Sequence, residues 1–147
     1  MLGGWHFPSS SLVMEKWLNN LQSDHLNQRF AIVSKQGELI GTTNLVNINW
    51  KDRNAFTGIV LSPEARGKGY GTDTVLAIMR YAFEELAFER LDTTIIEYNE
   101  PSYRMYTKSC SWKEEGRKKN YYWRKNRFWD QIIVGINRDD YFAFMEK

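Results

Sequence analysis

The sequence has one cysteine, Cys110, two histidines and three prolines in 147 residues. One cysteine cannot close an internal disulfide, which excludes a small disulfide-stapled fold of the secreted kind. Cys110, His6 and His25 together fall short of the four protein ligands of a structural zinc site, so no metal is expected. Long apolar runs are missing as well. Stretches such as Ile132-Ile133-Val134 are far below the roughly 20 residues that cross a bilayer, and no apolar segment follows a basic start as a secretory leader requires. The expectation is a cytoplasmic protein without membrane contact. An excess of one charge is also lacking, with 20 Lys and Arg against 18 Asp and Glu, so bulk electrostatics select no partner.

The composition is otherwise an ordinary globular mixture, 42% apolar and 15% aromatic, at the length of one domain. No linker-like, low-complexity or repeated segment divides it, and residues 1–147 read as a single domain. The balanced charge is unevenly spread. Residues 117–129 hold six basic and five aromatic side chains and no acid, while acidic residues outnumber basic ones elsewhere.

Periodicity sorts the segments. An irregular lead-in over 1–10 precedes Leu12, Val13, Trp17, Leu18 and Leu21, whose spacing predicts a helix over 12–21. Two β-rich runs, 29–35 and 38–48, flank Gln36-Gly37 and predict an antiparallel hairpin. A third strand is expected over 55–61, where Gly58 suggests a bulge or a close backbone approach. Val75, Ile78, Met79, Ala82, Phe83 and Leu86 recur at three-to-four spacing and predict an amphipathic helix over 70–86. A strand over 90–98, a short helix over 101–108, strands over 113–125 and 128–136, and a helical tail over 138–147 complete the reading. Such an order implies a mixed α/β sheet, not a sandwich or a helical bundle.

The segment Leu61-Ser62-Pro63-Glu64-Ala65-Arg66-Gly67-Lys68-Gly69-Tyr70-Gly71-Thr72 joins the third strand to the long helix. Glycines let a backbone approach a ligand closely, and the free N–H groups and positive dipole of a helix start favour an anion. A tight turn accounts for the glycines equally well. The spacing matches neither the Walker loop nor the dinucleotide fingerprint.

Arg66-Gly67-Lys68-Gly69-Tyr70-Gly71 satisfies a known pattern at every fixed position: Arg or Gln, two free positions, Gly, one free position, Gly or Ala. With it the sequence resembles the GNAT superfamily of acyl-CoA-dependent N-acetyltransferases. Glu38-Leu39-Ile40-Gly41, Asn99-Glu100-Pro101-Ser102, Tyr106 and Asp130-Gln131-Ile132-Ile133 occur in family order, and look like the branch of ribosomal-protein N-terminal and spermidine acetyltransferases. The resemblance covers residues 12–137 and carries the expectation that the family's first strand and helix are absent. It implies a mixed, mostly antiparallel, splayed sheet flanked by helices, with acetyl-CoA as co-substrate.

The resemblance also implies roles. Backbone N–H groups of Arg66, Gly67, Lys68, Gly69, Tyr70, Gly71 and Thr72 would bind the pyrophosphate. Pantetheine would pair with backbone near Leu61, where a bulge at Gly58 starts the splay, and an N–H among residues 59–61 would hold the thioester oxygen. Asn99 and Ser102 would flank the pantetheine arm. Tyr106 would protonate the departing thiolate, its ordinary pKa near 10 keeping the proton in place. The usual family run from that tyrosine is Tyr-x-Lys-x-Gly-Phe; here the aromatic, Trp112, arrives one residue later and Ser111 stands where glycine is expected. A shifted register would turn Tyr103 or Met105 to the site instead.

Glu97 is the candidate general base, with Asp130 and Glu38 as alternatives, and Trp5 and His6 would border the acceptor. That acceptor is a primary amine, either a protein N-terminus or an amino-sugar or other small amine, whereas a polyamine would be repelled by residues 117–127. Family members often dimerise, so a homodimer is part of the expectation. Two rivals stand beside this reading. Residues 117–129 could form a nucleic-acid-binding hairpin, with aromatics on bases and cations on phosphates, or the chain could bind CoA without turnover.

Overall fold

The computed structural model describes Leu12 and residues 24–147; the lead-in over 1–10, with Trp5 and His6, and the rest of the helix expected over 12–21 lie outside the described residues. Six strands form one sheet: β1 (Gln28–Val33), β2 (Leu39–Asn49), β3 (Asn54–Leu61), β4 (Arg90–Ile96), β5 (Lys113–Arg124) and β6 (Arg127–Asn137), in the order β1-β2-β3-β4-β6-β5. Only β3 and β4 run parallel; the other pairings are antiparallel. Among the residues from 24 onward, helices α1 (Tyr70–Arg80), α2 (Glu100–Arg104) and α3 (Arg138–Met145) join the sheet in the mixed α/β architecture read from the periodicity.

Turn chemistry explains the hairpins. Gly37 takes φ 84° between β1 and β2, and Lys125 and Asn126 take φ 53° and 60° between β5 and β6, the left-handed pair that a two-residue hairpin needs. The apolar stripe of α1 buries Val75, Ile78 and Met79. A π-helical turn, Tyr81–Glu85, extends it and buries Ala82 and Phe83. These side chains share one core with Leu45, Ala55 and Leu91 of the sheet. The indole N–H of Trp112, a residue only 2% exposed, donates to Met79 Sδ at 3.3 Å. Tyr141 of α3 stacks on Phe83 with centroids 4.8 Å apart.

The expected bulge at Gly58 is not there. Gly58 pairs in register with Asn44, and the β2–β3 irregularity falls between Val46 and Asn49, where Asn47 takes φ 51°. Asparagine tolerates that left-handed conformation, so the extra residue is taken up beside the turn. A Cβ at Gly58 would meet nothing closer than the Asn44 amide at 3.8 Å, an ordinary contact.

The splay has another origin. β3 and β4 pair only through Asn54↔Arg90, Ala55↔Leu91 and Phe56↔Asp92, and beyond those three positions they part. At the fork, threonine hydroxyls act as rungs. Thr43 Oγ1 donates to the Gly58 carbonyl at 2.8 Å, Thr57 Oγ1 to the Asn44 carbonyl at 2.6 Å, and Thr93 Oγ1 to the Thr57 carbonyl at 2.7 Å.

Candidate active site

The open end of β3 carries the backbone groups that a ligand can use. Ser62 N–H donates to the Ile40 carbonyl at 2.8 Å, which fixes the phase of the antiparallel β2–β3 ladder: residues 58 and 60 point their amides at β2, residues 57, 59 and 61 away from it. The Thr57 carbonyl is met by Thr93. The N–H and C=O of Ile59 and Leu61 face the gap instead. Leu61, predicted from sequence as a contact, therefore stands at the lip.

The glycine-rich loop comes immediately after Leu61. Gly67 and Gly69 take φ 75° and 87°, and a Cβ on either would meet nothing within 4 Å. Both glycines serve a left-handed backbone beside open space. Gly71 is a glycine for a different reason: it is helical, and a Cβ there would meet Met105 Sδ at 3.0 Å. It lets α1 pack against the helix that follows β4. The first α1 amide to find a helical carbonyl is that of Asp73, which donates to Gly69 at 3.1 Å; the amides of Tyr70, Gly71 and Thr72 precede it and project from the helix end. Arg66 and Lys68 are exposed around this cradle. An anion with several acceptor oxygens fits such a helix start on charge and geometry alike.

Across the gap, Asn99 caps α2: its Oδ1 accepts the Ser102 N–H at 3.2 Å. The Asn99 carbonyl oxygen is thereby used, and its NH2 group is the one left for a ligand. A second π-helical turn, Met105–Ser109, follows α2 and buries Tyr106. This turn accommodates the one-residue delay of Trp112, whose N–H donates to the Tyr106 carbonyl at 2.8 Å and whose ring lies 4.9 Å from that of Tyr106. Ser111, in the glycine position of the family run, takes φ 65°. Tyr106 is 3% exposed. Burial pushes its phenol well above the usual tyrosine range, against a smaller lowering pull from the Thr93 hydroxyl. The phenol thus faces the threonine that marks the fork. Sequence reasoning missed Thr93 and Thr57, although alternating threonines in adjacent strands are the signal that would have found them.

Glu97 stands just past the end of β4, turned toward β6. Its Oε1 accepts the Asp130 N–H at 2.9 Å and lies 3.7 Å from Arg127, and its Oε2 is 3.8 Å from Arg117. Asp130 accepts from Lys119 Nζ at 3.0 Å and from Asn120 N–H at 3.1 Å. These two contacts, the lysine first, hold its carboxyl below the usual carboxylate range. Glu38 is exposed in the β1–β2 turn. Leu61, the glycine loop, Asn99 and Ser102 thus stand at the open end of the sheet, and Glu97 lies among arginines; it is Met105 that packs against Gly71, while Tyr106 lies in the core against Trp112 with its phenol toward Thr93. Among the described residues, no cluster of His, Cys, Asp and Glu could hold a metal ion, and no helix is long and apolar enough to cross a membrane.

A family model described as an acetyltransferase (GNAT) domain matches residues 3–109. The chain belongs to the GNAT acetyltransferase family. It is an acyltransferase, and acetyl-CoA is the acyl donor of that family. Among curated proteins, the uncharacterized SPbeta prophage-derived N-acetyltransferase YokL of Bacillus subtilis is 27% identical over 137 residues, 92% of this chain and 76% of that protein. The spermidine N(1)-acetyltransferase of Vibrio cholerae is 26% identical over 128 residues, 87% and 73% of the two chains. The crystal structure of spermidine N-acetyltransferase from Vibrio cholerae in complex with CoA and spermine superposes with a TM-score of 0.84 at 25% identity, covering 92% of this chain and 79% of that one. The splayed GNAT sheet expected from the motifs is the sheet observed.

Proposed function

We propose that this GNAT enzyme transfers acetyl from acetyl-CoA to a primary amine by direct attack, within one catalytic unit. One observation carries the reading. The gap-facing backbone of Ile59 and Leu61 opens directly beside an α1 start whose two left-handed glycines leave it uncovered. When bound, acetyl-CoA supplies an acyl carbon activated as a thioester.

The chain's own groups divide the remaining work. Amides from Gly67 to Thr72 bind the pyrophosphate, the Arg66 N–H being taken by the Pro63 carbonyl at 3.3 Å. Ile59 and Leu61 offer strand-like backbone pairing to the pantetheine arm, and one of their N–H groups stabilises negative charge on the thioester oxygen. The Asn99 amide NH2 and Ser102 hold the arm from the opposite side. Tyr106 is assigned as the general acid because its phenol lies beside the Thr93 hydroxyl at the fork and a phenol holds its proton at neutral pH. Glu97, with both oxygens committed to Asp130 N–H and two arginines, is assigned to fixing the β6 end, and the proton of the attacking amine leaves to water.

Two acceptors compete. A protein N-terminal α-amine follows from the resemblance to ribosomal-protein N-terminal acetyltransferases, and a polyamine from the 26% identity to a spermidine acetyltransferase. Calorimetric titration of acetyl-CoA into the parent and a Gly69→Glu variant tests the donor site. The parent should bind, and the variant, checked for folding by its melting curve, should not. Absence of binding to the parent sinks the proposal. Thiol release can then be followed without interference from Cys110, which is fully buried and whose thiol burial pushes up to about 11.

A further inference from the structure

The described part of the sheet has a second feature at the same end as the gap. β4 last pairs with β6 at Ile96↔Gln131, so the strands on either side of the β5–β6 turn run on past the sheet as a two-stranded arm. Its base is kinked. Lys118 pairs with Gln131 and Tyr122 with Trp129, so three β5 residues oppose Asp130 alone, and Asn120 within them takes φ 53°. Such a bulge bends a strand and re-aims the residues beyond it. The Asp130 carboxylate pins it through Lys119 and Asn120, and Glu97 pins Asp130.

The arm's charge is one-sided. The two carboxylates at its base are already engaged by Arg117, Lys119 and Arg127. Among the described residues, no carboxylate lies within 4.0 Å of Lys118, Arg124 or Lys125, whose cations instead face aromatic rings. Lys118 Nζ is 5.5 Å from the Tyr121 ring, Arg124 5.6 Å from Tyr122 and Lys125 4.3 Å from Tyr98. Tyr98, between Glu97 and Asn99, packs edge-on against Trp129 at 4.8 Å, so Lys125 is held over the segment that follows β4. Tyr121, Trp123 and Phe128 are about half exposed, at 52%, 56% and 49%.

We propose that this arm recognises the acceptor, and that the acceptor is an acidic peptide whose terminal amine enters the gap while its carboxylates lie on Lys118, Arg124 and Lys125. The inference rests on the acetyl-transfer reading. Uncompensated cations within a Debye length of about 10 Å repel a polyamine and attract an anion. Nucleic acid offers the anion but no aliphatic amine to acetylate. The exposed aromatics add apolar contact along an extended chain.

The test uses the full chain and three fluorescent probes in an anisotropy titration: a peptide of Ser followed by a run of Glu, its Lys counterpart, and a single-stranded RNA. The Glu peptide should bind on the order of tenfold tighter than the Lys peptide at low salt, with the ratio shrinking as salt rises. The triple substitution Lys118→Glu, Arg124→Glu, Lys125→Glu should reverse the order. In thiol-release assays the same variant should raise KM for the Glu peptide and leave kcat in place. Equal binding of the two peptides, preference for the Lys peptide or spermidine, or tighter capture of the RNA each overturns the proposal. Acetyl-CoA titration of the same samples separates the two readings. Acetyl-CoA binding without a charge preference overturns the arm's role alone, whereas charge preference without acetyl-CoA binding overturns acetyl transfer alone.

Discussion

The two ends of β3 have opposite fates. Residues 54–56 are locked to β4, with Ala55 at 2% and Leu91 at 0% exposure across the pairing. Residues 59–61, Ile-Val-Leu, are the more apolar of the two, yet they keep a free backbone edge, and Val60 is 42% exposed. Strand propensity favours Ile-Val-Leu over Asn-Ala-Phe, yet it is Asn-Ala-Phe that pairs with β4. The difference lies in the neighbours: the Thr93 hydroxyl meets the Thr57 carbonyl just past the last β3–β4 pair, and from there β4 runs on with β6 alone. A binding gap can therefore be made without a special residue on the strand that lines it.

The contrast can be broken from either end. Tyr106→Phe removes one oxygen from the open end and should lower kcat by roughly 100-fold or more. Stopped-flow thiol release would measure that fall, and acetyl-CoA affinity should not follow it. Leu91→Ala strikes the closed end and should cost about 2–5 kcal/mol in denaturant unfolding, leaving acetyl-CoA affinity of the folded fraction intact. Gly41→Ala strikes the open end from the β2 side. Its Cβ would collide with the Val60 carbonyl and lie 3.1 Å from Leu61 Cα, so unfolding free energy should drop by about 1–3 kcal/mol and acetyl-CoA should bind more weakly. Ser111→Gly relieves a left-handed φ of 65° and should raise stability by about 1 kcal/mol, visible as a higher Tm. The smallest effect is expected at Asp130, whose folded pKa is depressed. A depressed carboxyl adds stability above its unfolded value, near 3.8, and loses it as pH falls through the folded value. Asp130→Asn should therefore lower Tm at neutral pH, and the difference from the parent should close in acid.

Much of the fold is legible in the sequence because it is local. Gln36-Gly37 and Lys125-Asn126 announce their hairpins, the stripe from Val75 to Leu86 its helix, and the loop from Arg66 to Gly71 its ligand class. The rest depends on contacts distant in sequence. Nothing near Ile96 says that β6 inserts between β4 and β5, and nothing in Gly58 reveals that the irregularity belongs to Asn47. The late arrival of Trp112 is visible in the sequence, but its resolution by a π-helical turn with Ser111 left-handed depends on how α2 packs under Gly71. Glu97 reads as a plausible base because alternation gives a direction along a strand and not the two arginines waiting there.

The narrow pairing of β3 with β4 also has a consequence in time. A sheet joined across its middle by only three residue pairs should show a sharp boundary in deuterium uptake. The amides of Ile59 and Leu61, lacking a strand partner, should exchange early, while those paired with β2 and at the three-residue junction exchange late. Bound acetyl-CoA would then act as the missing strand, and its occupancy could be followed as the slowing of exchange at two amides.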